Sequence, residues 1–444
     1  MPAEVLSRGG LVALIATLGL LAMSCGGGGS SSDAIKIAFV TDCGYPFNTD
    51  TEPLFAAADL PFLQRGAKLR GSEPSNGVIG ATVAGKPVQL LRECVPYGDF
   101  ASLLRTLGEL VQREGVDIVV GPDNQGEGLV IKQYAKEQRG VTFVTSSSGE
   151  QSTTLTHPVP NLFRFGADTA QSSAGLGAYA YRAMGWRNAV MVYEDDPAGW
   201  AEMAGFVAEF CSLGGHITKR VRTLREIPTR GVDGVVSLRD LTPTDTLDLM
   251  NAWAKRYPRW GQRLLVNADQ FNAALKGSDA FNGQERDGMR GLVGVSNWPL
   301  DPAPTSPAGR FATASARFFP GMGEADFYSY DEMEPVLEAL KQVHGDLSHG
   351  QRQFRKTLAR LHFSAPNGPT TLDARRQAIA PMYLRRVERR HGKLVVRQIA
   401  VVPNVEQTFG GYFGPKTAPP GRSQPICRRM KKPPPWVRSV PTTR

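Results

Sequence analysis

Short apolar runs alternate with amphipathic stretches along the chain from residue 35 onwards. Three of the runs, IKIAFV (35–40), PVQLLRECV (87–95) and VDIVVGP (116–122), have the length and composition of buried strands. Between the last two, residues 100–111 place phenylalanine and leucine on one face at helical spacing, behind Asp99 as an N-cap. A strand, a helix and a strand joined by short links predict a parallel sheet with helices on both faces.

The same rhythm starts again in the second part of the chain. After NLFRFGAD (161–168), strand-like runs alternate with amphipathic segments through NAVMVYEDD (188–196), VDGVVSL (232–238) and RLLVNA (263–268). Beyond residue 298 the pattern is mostly helical, and it closes with two strand-like runs around a turn at His391 and Gly392. The pattern predicts an α/β protein with two similar Rossmann-like units in tandem.

Residues 11–22 form a run of apolar residues and glycine with a single threonine, preceded by Arg8. This run is shorter than the roughly 20 apolar residues that cross a bilayer, and it is typical of an export signal. The residues before Cys25, LAMS, resemble the lipobox of bacterial lipoproteins, although the leucine stands one place further from the cysteine than usual. We therefore predict a signal peptide over residues 1–24, then an acylated Cys25 at the start of a flexible Gly/Ser tether over residues 25–33. The alternative is an ordinary secretory signal cut near residue 24, with Cys25 unmodified.

The composition adds information mainly about the C-terminal end. With 444 residues, 41% of them hydrophobic and 21% charged, the chain has the composition of an ordinary globular protein of two or three domains. Residues 421–444 hold seven lysines and arginines and no acid, so most of the net charge of +9 belongs to this end. Because prolines 433–435 argue against a packed element, we expect residues 416–444 to be a solvated basic tail. Contact of this tail with anionic headgroups is the alternative.

Residues that carry enzyme or metal chemistry are sparse. No GxSxG, HExxH or GK[ST] motif occurs, and the six histidines are scattered. Of the five cysteines, Cys25 is assigned to lipid, and an exported chain can oxidise the other four, for which the sequence alone leaves three pairings open. Without a CxxC pair or a Cys/His cluster, we predict no metal, no cofactor and no enzymatic activity.

Seven motifs, in order along the chain, resemble the periplasmic-binding-protein type I family, specifically the branched-chain amino acid-like solute-binding proteins of ABC importers. They are IKIAFV (35–40), GATVAGKPVQLLREC (80–94), VDIVVGP (116–122), FVTSSS (143–148), NLFRFGAD (161–168), NAVMVYEDDPAGW (188–200) and SYDEMEPVLEALKQV (329–343). No single motif is specific, but their order over this length is. The resemblance implies two Rossmann-like lobes joined by a three-stranded hinge, with a solute in the cleft between them.

The resemblance also sets the domain boundaries that we expect. The N-terminal lobe comprises residues 34–165 and 295–368, and the C-terminal lobe residues 166–294 and 369–415. The chain crosses between the lobes near residues 164–167, 293–297 and 368–373. A cleft between the lobes agrees with the general rule that ligands of open α/β sheets lie beyond the carboxyl ends of the strands.

In the family, two loops of the first lobe hold the solute's carboxylate through hydroxyls and backbone amides near helix starts. By this resemblance Asn124 and Gln125 are the donors of the first loop, and Asp123 repels a carboxylate if it points inward. In the second loop Ser147 aligns best with the binding position. The full set of candidates there is Ser146, Ser147 and Ser148, with a plain polar loop as the alternative.

The second lobe supplies an aromatic ring and an acid for the solute's ammonium group in this family. Ala198 stands where the family has tyrosine, so Tyr193 or Trp200 must supply the ring. Asp269 is the acid, unless it serves only as the N-cap of a helix. Tyr45, after the first strand, either lines the cleft or packs its own loop.

The resemblance implies an extracytoplasmic monomer, lipid-anchored to the cell membrane, that delivers a small polar solute to the permease of an ABC importer. The solute class is an amino acid or a related amide or carboxylate, and no nucleic acid is involved. A ligand-sensing or assembly lipoprotein that reuses the fold is the alternative. The family often carries a disulfide in the first lobe, so we predict a Cys43–Cys94 bond, with Cys211 and Cys427 paired or both free.

Overall fold

A computed structural model describes residues 34–44, 51–122, 126–146, 148–228, 230–238, 243–256, 259–276, 283–320 and 327–443. Its first part contains β1 (Ile35–Cys43), α1 (Glu52–Gln64), β2 (Lys68–Leu69), β3 (Val78–Ile79), β4 (Thr82–Val83), β5 (Lys86–Pro96), α2 (Phe100–Gly108), β6 (Ile118–Val120), α3 (Glu127–Glu137), β7 (Thr142–Thr145) and β8 (Leu162–Arg164). Six of these strands form one sheet in the order β4-β5-β1-β6-β7-β8. All neighbours in it are parallel except the β4–β5 hairpin.

The first sheet is covered on both faces, as the apolar run of β1 predicts. Ile37 and Phe39 point into a core that includes α1, whereas Ala38 and Val40 point into a second core with α2 and α3. All four side chains are at most 1% exposed. A strand with no solvent-facing side is typical of a parallel sheet between two helical layers. Asp99 caps α2 as predicted, since its carboxylate accepts from the backbone N–H of Ser102 at 3.0 Å.

The second part repeats this design with another sheet. It contains α4 (Thr169–Ser172), α5 (Leu176–Arg182), β9 (Asn188–Tyr193), α6 (Pro197–Ser212), β10 (His216–Val221), β11 (Gly234–Leu238), α7 (Pro243–Arg256), β12 (Leu264–Val266), α8 (Ala268–Lys276), α9 (Gly283–Gly288) and β13 (Val293–Ser296). The remaining elements are α10 (Pro307–Phe318), α11 (Phe327–Gln342), α12 (Ser348–Leu358), β14 (Phe363–Ala365), β15 (Gly368–Leu372), β16 (Ala378–Arg390) and β17 (Lys393–Val405). The sheet order is β10-β9-β11-β12-β13-β16-β15-β14, with β17 paired to β16.

The chain passes three times from the core of one sheet to that of the other. The first passage lies between Phe165 and Ala170, and the second, in the opposite direction, lies between Val295 and Trp298. The third follows β15, because Leu372 packs on the first core and Met382 lies in the second. The prediction of two α/β lobes joined by three crossings is confirmed, and the boundaries given above stay predictions.

Both disulfides join cysteines that the structure brings within bonding distance. Cys43 at the end of β1 bonds to Cys94 in the adjacent strand β5, with their Cα atoms 5.4 Å apart. Cys211 near the end of α6 bonds to Cys427, with a Cα–Cα distance of 5.3 Å. The predicted Cys43–Cys94 pairing is therefore confirmed, and of the two outcomes left for the other cysteines the structure has them paired.

The expectation that residues 416–444 are solvated is wrong. In this C-terminal segment, Trp436, Val437 and Val440 are 2–3% exposed and belong to the core that α6 and β9 share. The backbone N–H of Met430 donates to the carbonyl of Ser212 at 3.1 Å. The prolines precede or begin only a short 3-10 helix (Pro435–Ser439), and three apolar side chains and a disulfide dock the segment.

Candidate ligand-binding cleft

Several predicted site residues lie at or just after the carboxyl ends of parallel strands. Ser146 and Ser148 follow β7 of the first sheet, and Tyr193 ends β9 of the second. Asn124, Gln125, Ser147, Tyr45 and the lipidation site Cys25 lie outside the described residues, and the side chain of Asp269 is also not described. The geometry that follows therefore concerns the rest of the predicted set and the residues around it.

Ser146 and Ser148 are both fully buried, for different reasons. The backbone N–H of Ser146 donates to Oε1 of Glu332 in α11 at 2.5 Å. Its hydroxyl lies against Gly166, where an added Cβ atom would be only 2.5 Å from Oγ of Ser146. Ser146 is thus packed between α11 and the first crossing, and Ser148 is the better placed of the two for a solute.

The hydroxyl of Ser148 lies at the N-terminal turn of α3. A Cβ atom added to Gly128 would lie 2.7 Å from Oγ of Ser148 and 2.6 Å from Oγ1 of Thr153, so only glycine lets both hydroxyls approach the helix start. Both hydroxyls are buried and have no hydrogen-bond partner among the described residues. The first turn of a helix presents free N–H donors and a partial positive charge. A buried polar site of this kind is suited to the polar end of a small molecule.

Glu150 is a charged neighbour of this site that the sequence did not single out. It is 9% exposed, and its Oε1 would be 3.8 Å from a Cβ atom on Gly126, the residue before α3. Burial raises the pKa of Glu150, and the N–H of Gly126 and the charge of Arg164 oppose that rise. Its Oε2 has no hydrogen-bond partner in the described part of the chain. The site therefore combines hydroxyls with one acidic acceptor.

Arg164 holds the Ser148–Glu150 loop through hydrogen bonds to its backbone. The sequence did not single out this arginine as part of the site. Its guanidinium is completely buried and donates to the carbonyl oxygens of Ser148 at 2.6 Å and Glu150 at 2.9 Å. Its Nε donates to Oε1 of Gln377 at 2.5 Å, and the carboxylate of Asp168 lies 3.7 Å away. Burial lowers the pKa of Arg164 and raises that of Asp168 to about 6.

This arrangement links the loop to two of the three crossings. Arg164 lies at the first crossing, and its backbone N–H donates to the carbonyl of Arg376, next to Gln377 in the third, at 2.9 Å. Gln377 in turn donates to the carbonyl of Gly166 at 2.8 Å. A change of hinge angle would act on the same side chains that hold the loop.

In the second part of the chain, Tyr193 at the end of β9 is buried more deeply than Trp200 in α6. Tyr193 is 7% exposed and packs into the core, whereas Trp200 is half-buried. Nε1 of Trp200 donates to Oδ1 of Asp195 at 3.1 Å, and Arg422 of the C-terminal segment donates to the same oxygen at 2.8 Å. The ring of Trp200 is thus oriented by an acid that a distant part of the chain also contacts.

Asp269 is not the N-cap of its helix. α8 begins at Ala268, and Oδ1 of Asn267 accepts from the backbone N–H of Gln270 at 3.0 Å, which is the hydrogen bond of a capping residue. The capping alternative for Asp269 is therefore wrong, because the helix begins two residues earlier than that alternative requires. Its position in the first turn leaves its role as an acid at the cleft as a prediction.

Residues 34–229 match the family described as periplasmic binding protein. No curated protein matches the chain. Among solved structures, an ABC transporter substrate-binding protein from Sphaerobacter thermophilus is 20% identical with a TM-score of 0.68, covering 84% of this chain and 99% of its own.

Two further solved structures extend the likeness. A solute-binding protein of an ABC transporter from Rhodopseudomonas palustris BisB5, solved with 3,4-dihydroxybenzoic acid, is 20% identical with a TM-score of 0.64, covering 84% of this chain and 99% of its own. A leucine-binding protein from Thermotoga maritima is 15% identical with a TM-score of 0.61, covering 83% of this chain and 98% of its own. At these identities the likeness establishes the fold. All three are named as binding proteins and none as an enzyme.

Two cavities lie away from the predicted site. They measure about 350 and 360 Å³ and share Met184 and Gln262, and neither is lined by a predicted contact residue. Gln262 and Arg290, which line the first, stand before β12 and β13, at the end of the sheet opposite the strand carboxyl ends.

Within the described residues, no helix combines the length and the apolar character that crossing a membrane requires.

Proposed function

We propose that this protein is an extracytoplasmic solute-binding protein that captures a small polar solute between its lobes and delivers it to an ABC importer. The observation that carries the proposal is the pair of buried hydroxyls, Ser148 and Thr153, without hydrogen-bond partners at the start of α3. They follow β7, on the loop where the family binds its ligands. A buried polar group without a partner is costly, so a bound molecule that pairs with it is favoured.

The proposed solute has a carboxylate or amide at one end and a hydrogen-bond donor at the other. The partial positive charge at the start of α3 favours the first, and the carboxylate of Glu150 favours a donor such as an ammonium or a hydroxyl group. Amino acids and hydroxylated aromatic acids both meet this description. Relatives named for each class exist, one with 3,4-dihydroxybenzoic acid and one named for leucine.

The remaining contacts of the proposed site are those that the sequence predicted. They comprise Asn124, Gln125 and Ser147 from the first lobe, Tyr193, Trp200 and Asp269 from the second, and Tyr45 after β1. We further propose that Cys25 is acylated and tethers the protein to the membrane; an unmodified N-terminal peptide in mass spectrometry of the native protein would rule this out.

A thermal-shift screen of amino acids, amides, small peptides and aromatic acids tests the function. A ligand present at 100 times its dissociation constant should stabilise the fold by about 2.7 kcal/mol. For the best ligand, calorimetry on Ser148→Ala should show a loss of about 1 kcal/mol in binding free energy, or up to about 3 if the hydroxyl pairs with a charged group. Ser72→Ala, at an exposed position of the same lobe, is the matched control and should bind normally.

Glu150→Gln separates the two solute classes. If the solute carries an ammonium group beside Glu150, this variant and Asp269→Ala should weaken it strongly, by about 3–5 kcal/mol where the charge is buried. If the solute is an aromatic acid, Glu150→Gln should change affinity little. No stabilising compound in the screen, or wild-type affinity in Ser148→Ala, Glu150→Gln and Asp269→Ala together, would refute the proposed site.

A further inference from the structure

The C-terminal segment carries a cluster of basic side chains that the proposed function does not use. Arg428, Arg429, Lys431 and Lys432 are all exposed, and residues 416–444 contain no aspartate or glutamate. In the described part of the chain none of the four forms an ion pair with a carboxylate, whereas Arg422 of the same segment pairs with Asp195. We call these four residues, together with Ile426, the basic face.

The basic face is fixed to the folded body on both sides. The Cys211–Cys427 disulfide precedes Arg428 directly, and the buried side chain of Trp436 follows the lysines. The guanidinium of Arg428 donates to the carbonyl oxygen of Tyr412 at 2.6 Å and lies 4.8 Å from the centre of its ring. Like charges on a free tail would spread apart to reduce their repulsion. The attachments at both ends instead fix the stretch of backbone that carries these charges.

Ile426 gives the basic face an apolar tip. The residue is 68% exposed, more than any other exposed large apolar residue in the described part of the chain. The carbonyl oxygen of Ile426 accepts from the hydroxyl of Tyr412 at 2.7 Å, so the backbone that presents this side chain is held. An exposed isoleucine next to several cations is the composition with which proteins enter the headgroup region of a membrane.

We propose that the basic face binds the anionic surface of a lipid bilayer. Charge complementarity favours an anionic partner, because all the charged side chains of the segment are positive. A flat surface suits the segment, because its four cations and Ile426 are all exposed to solvent. An acidic protein would not require an exposed isoleucine among the cations. The contact would give the protein a second attachment to the membrane, independent of its solute.

Co-sedimentation with lipid vesicles tests this proposal. The mature chain with Cys25→Ser is used throughout, so that no acyl chain contributes. It should sediment with vesicles containing about one third phosphatidylglycerol, not with pure phosphatidylcholine, and molar salt should release it. Charge reversal of the basic face (Arg428→Glu, Arg429→Glu, Lys431→Glu, Lys432→Glu) should lower the partition coefficient at least tenfold, since each basic side chain near such a surface contributes about fivefold.

The matched control reverses four exposed cations of the first lobe, Lys136→Glu, Arg139→Glu, Arg352→Glu and Lys356→Glu, and changes the net charge equally. It should retain most of the binding, and Ile426→Ser should lower binding while all charges remain. Thermal unfolding and peptide mapping of Cys211–Cys427 establish that each variant is folded. Equal losses in the two charge-reversal variants would overturn the proposal, as would absence of wild-type binding to anionic vesicles. The proposal would also be overturned if charge reversal of the basic face abolished binding to an acidic protein but left vesicle binding unchanged.

Discussion

The region around each of the two disulfides contains a buried carboxylate, but the two regions are built differently. In the first lobe, Cys43–Cys94 joins two neighbouring parallel strands that are 51 residues apart in sequence. In the second, Cys211–Cys427 joins a helix to a segment 216 residues away that has no place in either sheet. The sheet positions the first bond, whereas the second bond helps to position the chain.

The buried carboxylates show the same difference. Asp59 of α1 forms an ion pair with Arg92 of β5, two residues before Cys94, and this pair joins elements that are already packed. Glu209 of α6 instead accepts from Nε1 of Trp436 at 2.6 Å and from two backbone N–H groups. Removal of the first pair should therefore act on a formed lobe, whereas removal of the second should release the C-terminal segment.

The largest expected effect follows from removing the longer-range disulfide. In the chain-entropy model, Cys211→Ser with Cys427→Ser should lower the free energy of unfolding by about 5 kcal/mol. The Cys43–Cys94 bond closes a shorter loop, so the same replacement there should lower the free energy of unfolding by about 4 kcal/mol. Urea unfolding of both double variants, with matched m-values, measures the difference.

Limited proteolysis distinguishes the two variants further. Only the Cys211/Cys427 variant should become susceptible around residues 428–435 under native conditions, because only there does the bond tie down an irregular segment. A larger stability loss in the Cys43/Cys94 variant, or cleavage of this segment in both, would contradict the proposed difference.

The sequence predicted the first region well because its parts are local. Apolar runs mark β1 and β5, and the family resemblance implied the bond between the cysteines of these two strands. The docking of Trp436 was not predictable, because its partner Glu209 is 227 residues away and no periodic pattern connects them. Ser148 was a candidate from the resemblance, and its role in binding stays a prediction. Arg164 was missed because its burial depends on Gln377, 213 residues away, and charged residues are assigned to the surface when no partner is known.

The pH dependence of stability should separate the ion pair from the rest of the first lobe. Burial raises the pKa of Asp59 to about 6, with Arg92 opposing the rise. Since the folded state then binds this proton more tightly than the unfolded state does, the free energy of unfolding should rise as the pH falls from about 6 to about 4. The gain from this one group is about 3 kcal/mol. Asp59→Asn should lack it, and unfolding profiles of wild type and variant that stay parallel between these pH values would disprove the assignment.

The smallest effect is expected for Trp436→Phe, which keeps an aromatic ring but loses the N–H that Glu209 accepts. The loss should be about 2 kcal/mol in unfolding free energy, the range for a hydrogen bond to a charged group. Because burial raises the pKa of Glu209 and this hydrogen bond opposes that rise, the variant should raise the pKa further. Its destabilisation should therefore shrink as the pH is lowered and Glu209 becomes protonated. In a double-mutant cycle with Glu209→Gln, the coupling should account for most of the loss, and a coupling near zero would mean that Trp436 holds the segment by packing alone.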